Sequence, residues 1–335
     1  MHYLLLLLGL FLLIVSGELL VRGGVGIATR LRISPLVIGM TIVAFGTSAP
    51  EFLVSLQAAM AGNPEIAVGN VIGSNIANIA LILGLTGLIY PIAVNKQAMT
   101  IDFGWMMIAT ILFGIFASNG QISRLEGTIL TFCLILFIIL QINYTRRSGI
   151  NIDNVQETSE TKGITVASSL LFIAISCCGL AYGARFLVSA ASNIAASLGV
   201  SERVIGITIV AIGTSLPELV TTVIAATKKQ SDIALGNIIG SNIFNLFFVI
   251  GLSSLIKPIN IDWSSFVGDY YWMFGISVLL LILVIPIFKT LKSRNKSKSI
   301  SKQLFDNGKL GRAGGAILFS LYIIYILSLL FIDNF

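Results

Sequence analysis

Two short stretches concentrate the oxygen chemistry of this chain: "GTSAPE", Gly46 to Glu51, and "GTSLPE", Gly213 to Glu218. Each sets a carboxylate, two hydroxyls, a glycine and a proline inside an apolar run. An ionisable side chain at the centre of a bilayer costs ~2.5–3.5 kcal/mol, so Glu51 and Glu218 are expected to face a cavity or a counter-charge. Neither has a Lys or Arg close by in the sequence on its own helix, and a bound cation would supply the missing charge. Pro50 and Pro217 each remove one backbone donor and crowd the carbonyl one turn back, while Gly46 and Gly213 loosen the preceding turn. Carbonyls around Ala44, Thr47, Ala211 and Thr214 are therefore expected to be available as ligands. Thr47, Ser48, Thr214 and Ser215 add hydroxyls, and a "GSN" break in the following helix of each half adds Ser74, Asn78, Ser241 and Asn245. All of these offer oxygen, and none is His or Cys. Such a set suits Ca²⁺, Na⁺ or Mg²⁺ and argues against zinc, copper or iron. Two carboxylates carry −2, which balances one Ca²⁺; several Na⁺ could occupy the same oxygens.

The two stretches are separated by 167 residues, and the same offset pairs "GSNIAN" (Gly73–Asn78) with "GSNIFN" (Gly240–Asn245), Gly69–Asn70 with Gly236–Asn237, and Pro91 with Pro258. Roughly half of the positions between Ser34–Leu85 and Ser201–Leu252 are identical without a gap. The chain is a duplication. A lone Gly-Pro kink in a membrane helix is usually packing, but two copies, each with a glutamate, point to a site built between the halves. The Gly-Asn pairs read equally well as close helix contacts or as parts of that site.

The elements that must hold these groups are membrane helices. Of 335 residues, 56% are apolar and 11% charged, against about 45–50% and ~25% in soluble domains. Apolar segments approach the ~20 residues that cross a hydrocarbon core. Five helices are expected in each half: about 2–22, 34–60, 65–89, 98–117 and 125–143, then 164–187, 201–227, 232–256, 268–288 and 314–332. The first, lacking a basic start and a small-residue cleavage site, reads as a retained helix rather than a signal peptide. An odd number of crossings per half inverts the second copy. With the N-terminus outside, seventeen of the 21 Lys and Arg fall on the cytoplasmic side, so charge agrees with ten spans and both termini outside.

The expected organisation is thus an all-α polytopic membrane protein of two inverted five-helix repeats, 1–143 and 164–335, joined by a polar cytoplasmic linker, 144–163. Helices two, three, seven and eight are expected to be discontinuous around a central cation site. The basic stretch from Lys289 to Arg312 reads as a topology signal resting on anionic lipid. Cys133, Cys177 and Cys178 follow neither a disulfide nor a zinc spacing and read as buried thiols. Glu18 and Arg185, equivalent by the same offset, read as interfacial side chains.

The segments "AFGTSAPEFLVSLQAA…IAVGNVIGSNIANI" and "AIGTSLPELVTTVIAA…IALGNIIGSNIFNL" resemble the paired repeats of the calcium/cation antiporter superfamily, in particular its prokaryotic sodium/calcium exchangers. The resemblance implies alternating access in the cytoplasmic membrane, with Ca²⁺ and Na⁺ as transported ions competing for one cluster and no cofactor. It implies that Glu51 and Glu218 share Ca²⁺ and that Thr47 and Thr214 lend carbonyls. Ser48, Ser74, Ser215 and Ser241 would serve flanking Na⁺ positions, Asn78 and Asn245 the middle, and the carbonyls of Ala44 and Ala211 the outer sites. Asn245 stands where potassium-dependent members rely on an acid, which argues against K⁺ co-transport. The large Ca²⁺-sensing loops of animal exchangers have no room here. No nucleic acid or protein partner is implied.

Three other readings compete. A Ca²⁺/H⁺ antiporter would titrate the same glutamates. A cation channel would use a glutamate ring, against which the two-fold repeat argues. An enzyme lacks its parts: His2, the only histidine, is at the extreme N-terminus, and Ser48 and Ser215 have no base nearby.

Overall fold

The computed structural model describes residues 2–31, 33–147, 165–199, 211–285 and 308–332. These form helices α1 (His2–Leu31), α2 (Pro35–Thr47, then Ala49–Ala61), α3 (Pro64–Ile89), α4 (Ala98–Ala117), α5 (Arg124–Arg147), α6 (Val166–Ser197), α7 (Ala211–Gly213, then Leu216–Thr227), α8 (Ser231–Ile256), α9 (Trp263–Val284) and α10 (Arg312–Ile332). Eight are long and apolar enough to cross a membrane, and α2, bent by 47° at its break, makes a ninth. The start of the expected span 201–227 lies outside the described residues, as do residues 148–163 of the expected linker 144–163, whose first four residues instead continue α5, and most of the basic stretch.

Several ends differ from expectation. α1 runs to Leu31 rather than to 22, and α6 to Ser197 rather than to 187. At about 1.5 Å per residue both exceed a ~30 Å hydrocarbon core, so Arg22 and Arg30 extend the helix instead of ending it. A box of reciprocal bonds between Thr165 and Ser168 starts α6. α9 begins at Trp263, not 268, and stops at Val284; Ile285 is extended (φ −68°, ψ 127°), as a residue before proline prefers, and Pro286 follows.

Burial separates the helices by role. In their most apolar stretches α3 and α8 are 78% and 94% buried, against 28–33% for α1, α5, α6, α9 and α10, so α3 and α8 form the centre and the others face lipid. The larger apolar core packs α2, α3, α4, α5, α8, α9 and α10 together; a smaller one joins α1 and α6 to the start of α2, the end of α7 and the start of α8. α1 and α6 touch through backbone: a Cβ on Gly9 would lie 2.8 Å from the Gly183 carbonyl oxygen.

Two antiparallel ribbons tie the repeats together. β1 (Ile92–Val94), before α4, pairs with β4 (Gly308–Leu310), before α10. β2 (Gln121–Ile122), before α5, pairs with β3 (Ile259–Asn260), before α9. Each ribbon joins one half to the other.

Polar side chains clamp neighbouring helices elsewhere. Asp102, wholly buried in a π-wound start of α4, accepts from Gln141 of α5, whose own amide oxygen accepts from Gln97 at 3.0 Å. The equivalent Asp269 accepts from Tyr325 of α10 at 3.1 Å. Glu18 of α1 is an ion-pair partner of Lys228 at the end of α7, and Arg185 is exposed. The thiols are not uniformly buried: Cys133 and Cys177 are half-buried, and Cys178 is exposed.

Candidate cation site

The two hexapeptides produce the same backbone feature. Ser48 (φ −85°, ψ 2°) interrupts α2, and Ser215 (φ −89°, ψ 6°) interrupts α7; each is followed two residues later by proline in the first turn of the new helix. Glu51 and Glu218 therefore sit in the first turn of Ala49–Ala61 and Leu216–Thr227, where exposed amides and the helix dipole favour negative charge. The flanking glycines make room for a crossing helix. A Cβ on Gly46 would meet Cys177 Sγ at 2.7 Å, and one on Gly213 would strike the Val188 side chain, so α6 presses on both breaks. Phe45 and Phe52, on either side of Ser48, both pack on Phe248 of α8, with ring centroids 5.6 and 4.7 Å apart.

The expected carbonyls differ between the halves. The Ala44 carbonyl is not free, because it accepts the Ser48 N–H at 2.9 Å, and the Thr47 hydroxyl lies 3.3 Å from it. The Ser215 N–H turns instead to Ile212, at 3.1 Å, which releases the Ala211 carbonyl from the equivalent bond. The "GSN" segments do not break α3 and α8. Both helices run through, and each widens into a π-wound turn immediately afterwards, at Ala77–Leu83 and Asn245–Ile250. Such a turn shifts the backbone register inside a continuous helix and is frequent at functional sites.

Thr47, Ser48, Glu218 and Ser241 meet across the halves, as do Asn245 and Asn75. Glu51, Glu218, Ser48, Ser215, Asn78 and Asn245 are each 1% exposed, Ser74 3%, and Thr47 and Ser241 0%, so these nine side chains are shut off from solvent; Thr214 is half-buried. Ser48 Oγ donates to Glu218 Oε1 at 3.2 Å and Ser241 Oγ to the same oxygen at 3.5 Å. Thr47 Oγ1 donates to Asn237 Oδ1 at 3.0 Å and lies 3.3 Å from Ser241 Oγ. Asn245 Nδ2 donates to Asn75 Oδ1 at 3.1 Å, which leaves the Asn245 amide oxygen for another partner.

What remains unsatisfied defines the chemistry. Both carboxylate oxygens of Glu51, Glu218 Oε2, Ser215 Oγ, Asn78 Oδ1 and Asn245 Oδ1 are buried without a hydrogen-bond partner. Buried acceptors left so cost about 1–3 kcal/mol each and more when charged, and among the described residues no Lys or Arg pairs with either glutamate. Asn78 Nδ2 is orphaned beside them, but oxygens with −2 of formal charge predominate and form a receptor for a hard cation. Among the described residues no group of three or more His, Cys, Asp or Glu is present, so this arrangement of two acids with neutral oxygens differs from a transition-metal centre.

Asn70 and Asn237 also touch this cluster, and Asn75 and Asn242 meet beneath it, where Asn75 Nδ2 reaches the Asn242 carbonyl at 3.5 Å. Sequence reasoning left the first pair undecided and passed over the second. Their recurrence at the 167-residue offset is the same signal that found the glutamates.

The chain is similar to known proteins. A family model described as sodium/calcium exchanger protein matches residues 1–143 and 168–331. The chain is 36% identical over 285 residues to the inner membrane protein YrbG of Escherichia coli, covering 83% of this chain and 87% of that protein. It is 33% identical over 319 residues to the sodium/calcium exchanger MaX1 of Methanosarcina acetivorans, covering 84% and 91%. Among solved structures, the sodium-calcium exchanger NCX_Mj soaked with Na⁺ and Ca²⁺ matches with a TM-score of 0.78 and 31% identity over 98% of both chains.

Proposed function

The chain belongs to the sodium/calcium exchanger protein family, and on that premise we propose that it is a secondary antiporter that exchanges Na⁺ for Ca²⁺ by alternating access at the Glu51–Glu218 cluster. The observation that carries this reading is the set of orphaned buried oxygens, two from Glu51 and one each from Glu218, Ser215, Asn78 and Asn245. Glu51 and Glu218 share Ca²⁺. Thr47 and Thr214 add carbonyls, Ser48, Ser74, Ser215 and Ser241 serve flanking Na⁺, and Asn78 and Asn245 line the middle. On the outer positions the Ala211 carbonyl is preferred to that of Ala44, which the Ser48 N–H already uses.

Charge sets the mechanism. Two carboxylates with one Ca²⁺ are neutral, so Ca²⁺ crosses with little coupling to voltage. More than two Na⁺ leave the site positive, and each extra charge couples at ~2.3 kcal/mol per 100 mV. The empty site, at −2, resists crossing, and that resistance converts leak into exchange. The exchange proposed here moves cargo alone, with no resident cofactor.

The same premise supports ten spans in two inverted repeats, 1–143 and 164–335, with 144–163 as cytoplasmic linker and both termini outside. The matched breaks at Ser48 and Ser215 support it, as do the matched π-wound turns and the ribbons that join each half to the other. The test is uptake of radioactive Ca²⁺ into proteoliposomes loaded with Na⁺, beside vesicles loaded with K⁺ or choline or given only a pH gradient. Uptake that requires internal Na⁺ is the expected result. Uptake driven by the pH gradient alone would replace Na⁺ with H⁺ as the coupling ion, and no uptake under any gradient would sink the reading.

A further inference from the structure

Asn70 of α3 and Asn237 of α8 stand at equivalent positions and lie outside the proposed ligand set. Each grips the neighbouring glutamate helix in the same way. Asn70 Nδ2 donates to the Glu51 carbonyl at 3.3 Å and to Ser55 Oγ at 2.9 Å. Asn237 Nδ2 donates to the Glu218 carbonyl at 3.5 Å and to Thr222 Oγ1 at 3.0 Å. Ser55 and Thr222 lie one turn beyond their glutamates, on the same helix face. Two anchors one turn apart fix the rotation of a helix about its axis, and with it the direction of the carboxylate.

The acceptor ends of the two amides differ. Asn237 Oδ1 takes the Thr47 hydroxyl from the other half at 3.0 Å. Its mirror contact, from Thr214 to Asn70, is not made: among the described residues the Thr214 hydroxyl has no hydrogen-bond partner. The carboxylates repeat this difference. Glu218 receives Ser48 and Ser241, whereas Ser215 and both oxygens of Glu51 have no partner. One half of a two-fold site is locked and its equivalent is open.

We propose that Asn70 and Asn237 are positioning residues that aim Glu51 and Glu218, and that Thr47–Asn237 and Thr214–Asn70 are alternative locks, one closed at each stage of transport. The proposal rests on the exchanger reading and adds to it the hydrogen bonds that distinguish its two end states. The contact from Thr47 draws Asn237, and through it the Glu218 helix, toward the first half. Breaking it and closing Thr214 on Asn70 would hand the same constraint to Glu51.

The experiment compares Asn70→Ala, Asn237→Ala, Thr47→Val and Thr214→Val with the unaltered protein. Valine keeps the volume and the backbone carbonyl of threonine and deletes only the hydroxyl. Two quantities are read: the apparent Ca²⁺ affinity, from the Ca²⁺-induced rise in unfolding temperature in detergent, and the KM for Ca²⁺ at each face of oriented proteoliposomes. Each asparagine variant should weaken Ca²⁺ binding about ten-fold, the size of one lost hydrogen bond to a charged assembly. Thr47→Val and Thr214→Val should move the ratio of the two KM values in opposite directions, about five-fold each, and Thr47→Ser should restore the original ratio. A purely structural role would not split the two faces. Unchanged Ca²⁺ affinity in folded asparagine variants, or a ratio moving the same way in both valine variants, would overturn the proposal. Should the asparagine variants fail to fold, the valine pair decides alone. An unaltered protein without Ca²⁺ response would remove the exchanger reading itself and the proposal with it; a responsive one with indifferent variants removes only the proposal.

Discussion

Replacing Glu51 with Gln should make the ion-free protein more stable while abolishing its response to Ca²⁺. Both carboxylate oxygens of Glu51 are buried without a donor, and among the described residues no cation faces them. The cost of that arrangement has a ceiling. If the carboxylate is too expensive to bury, it takes up a proton instead, at about 1.36 kcal/mol for each pH unit above the ordinary glutamate value near 4.3, or about 4 kcal/mol at pH 7. Glutamine has the same shape without the charge and removes most of that penalty, offset by about 1–3 kcal/mol for an amide whose own donors lack partners. A net gain of about 1–2 kcal/mol is expected for Glu51→Gln in chelator. Glu218→Gln should gain less, because Ser48 and Ser241 would lose a charged acceptor. Saturating Ca²⁺ should then stabilise the unaltered protein by about 2.7 kcal/mol at a hundred times its Kd and leave Glu51→Gln unmoved. The assay is thermal unfolding in detergent, with chelator and with Ca²⁺. A Glu51→Gln protein that melts below the unaltered one in chelator, or keeps its Ca²⁺ increment, would refute the reasoning.

Gly46→Ala should lose about 1–3 kcal/mol through overpacking against Cys177, and adding Cys177→Ala should restore most of it, as read by unfolding temperature. At Asp102, asparagine retains the acceptor for Gln141 and should be nearly neutral, whereas leucine removes that acceptor and should cost about 1–3 kcal/mol; Ca²⁺ uptake per folded molecule should be unchanged in both. Glu18→Gln breaks a half-exposed pair with Lys228 and should shift stability by no more than about 1 kcal/mol, with high salt erasing the difference.

Helices and site were legible in the sequence to different depths. Gly46–Glu51 and Gly213–Glu218 advertised their breaks because proline lacks a donor wherever it stands, and the 167-residue offset turned one oddity into a pair. Ends of elements were harder to place: Arg22 looked like the edge of a membrane span, yet the helix continues to Leu31. The ribbons β1–β4 and β2–β3 join segments more than a hundred residues apart, and such short pairings leave no periodicity to detect. The "GSN" segments looked like breaks because glycine and serine weaken helices, but widening into a π-wound turn meets the same need without ending the helix. Least visible was the difference between equivalent residues. Thr47 and Thr214 are the same letter in the same motif, and only packing engages one and leaves the other open.

The central claim, that Na⁺ and Ca²⁺ compete for one site held by Glu51 and Glu218, is tested most directly by equilibrium Ca²⁺ binding to the purified protein titrated with Na⁺. One Ca²⁺ per chain, displaced by Na⁺ with a slope steeper than one-for-one and absent in both Glu51→Gln and Glu218→Gln, is the predicted result. Ca²⁺ that Na⁺ fails to displace, or that both variants still bind, would contradict it.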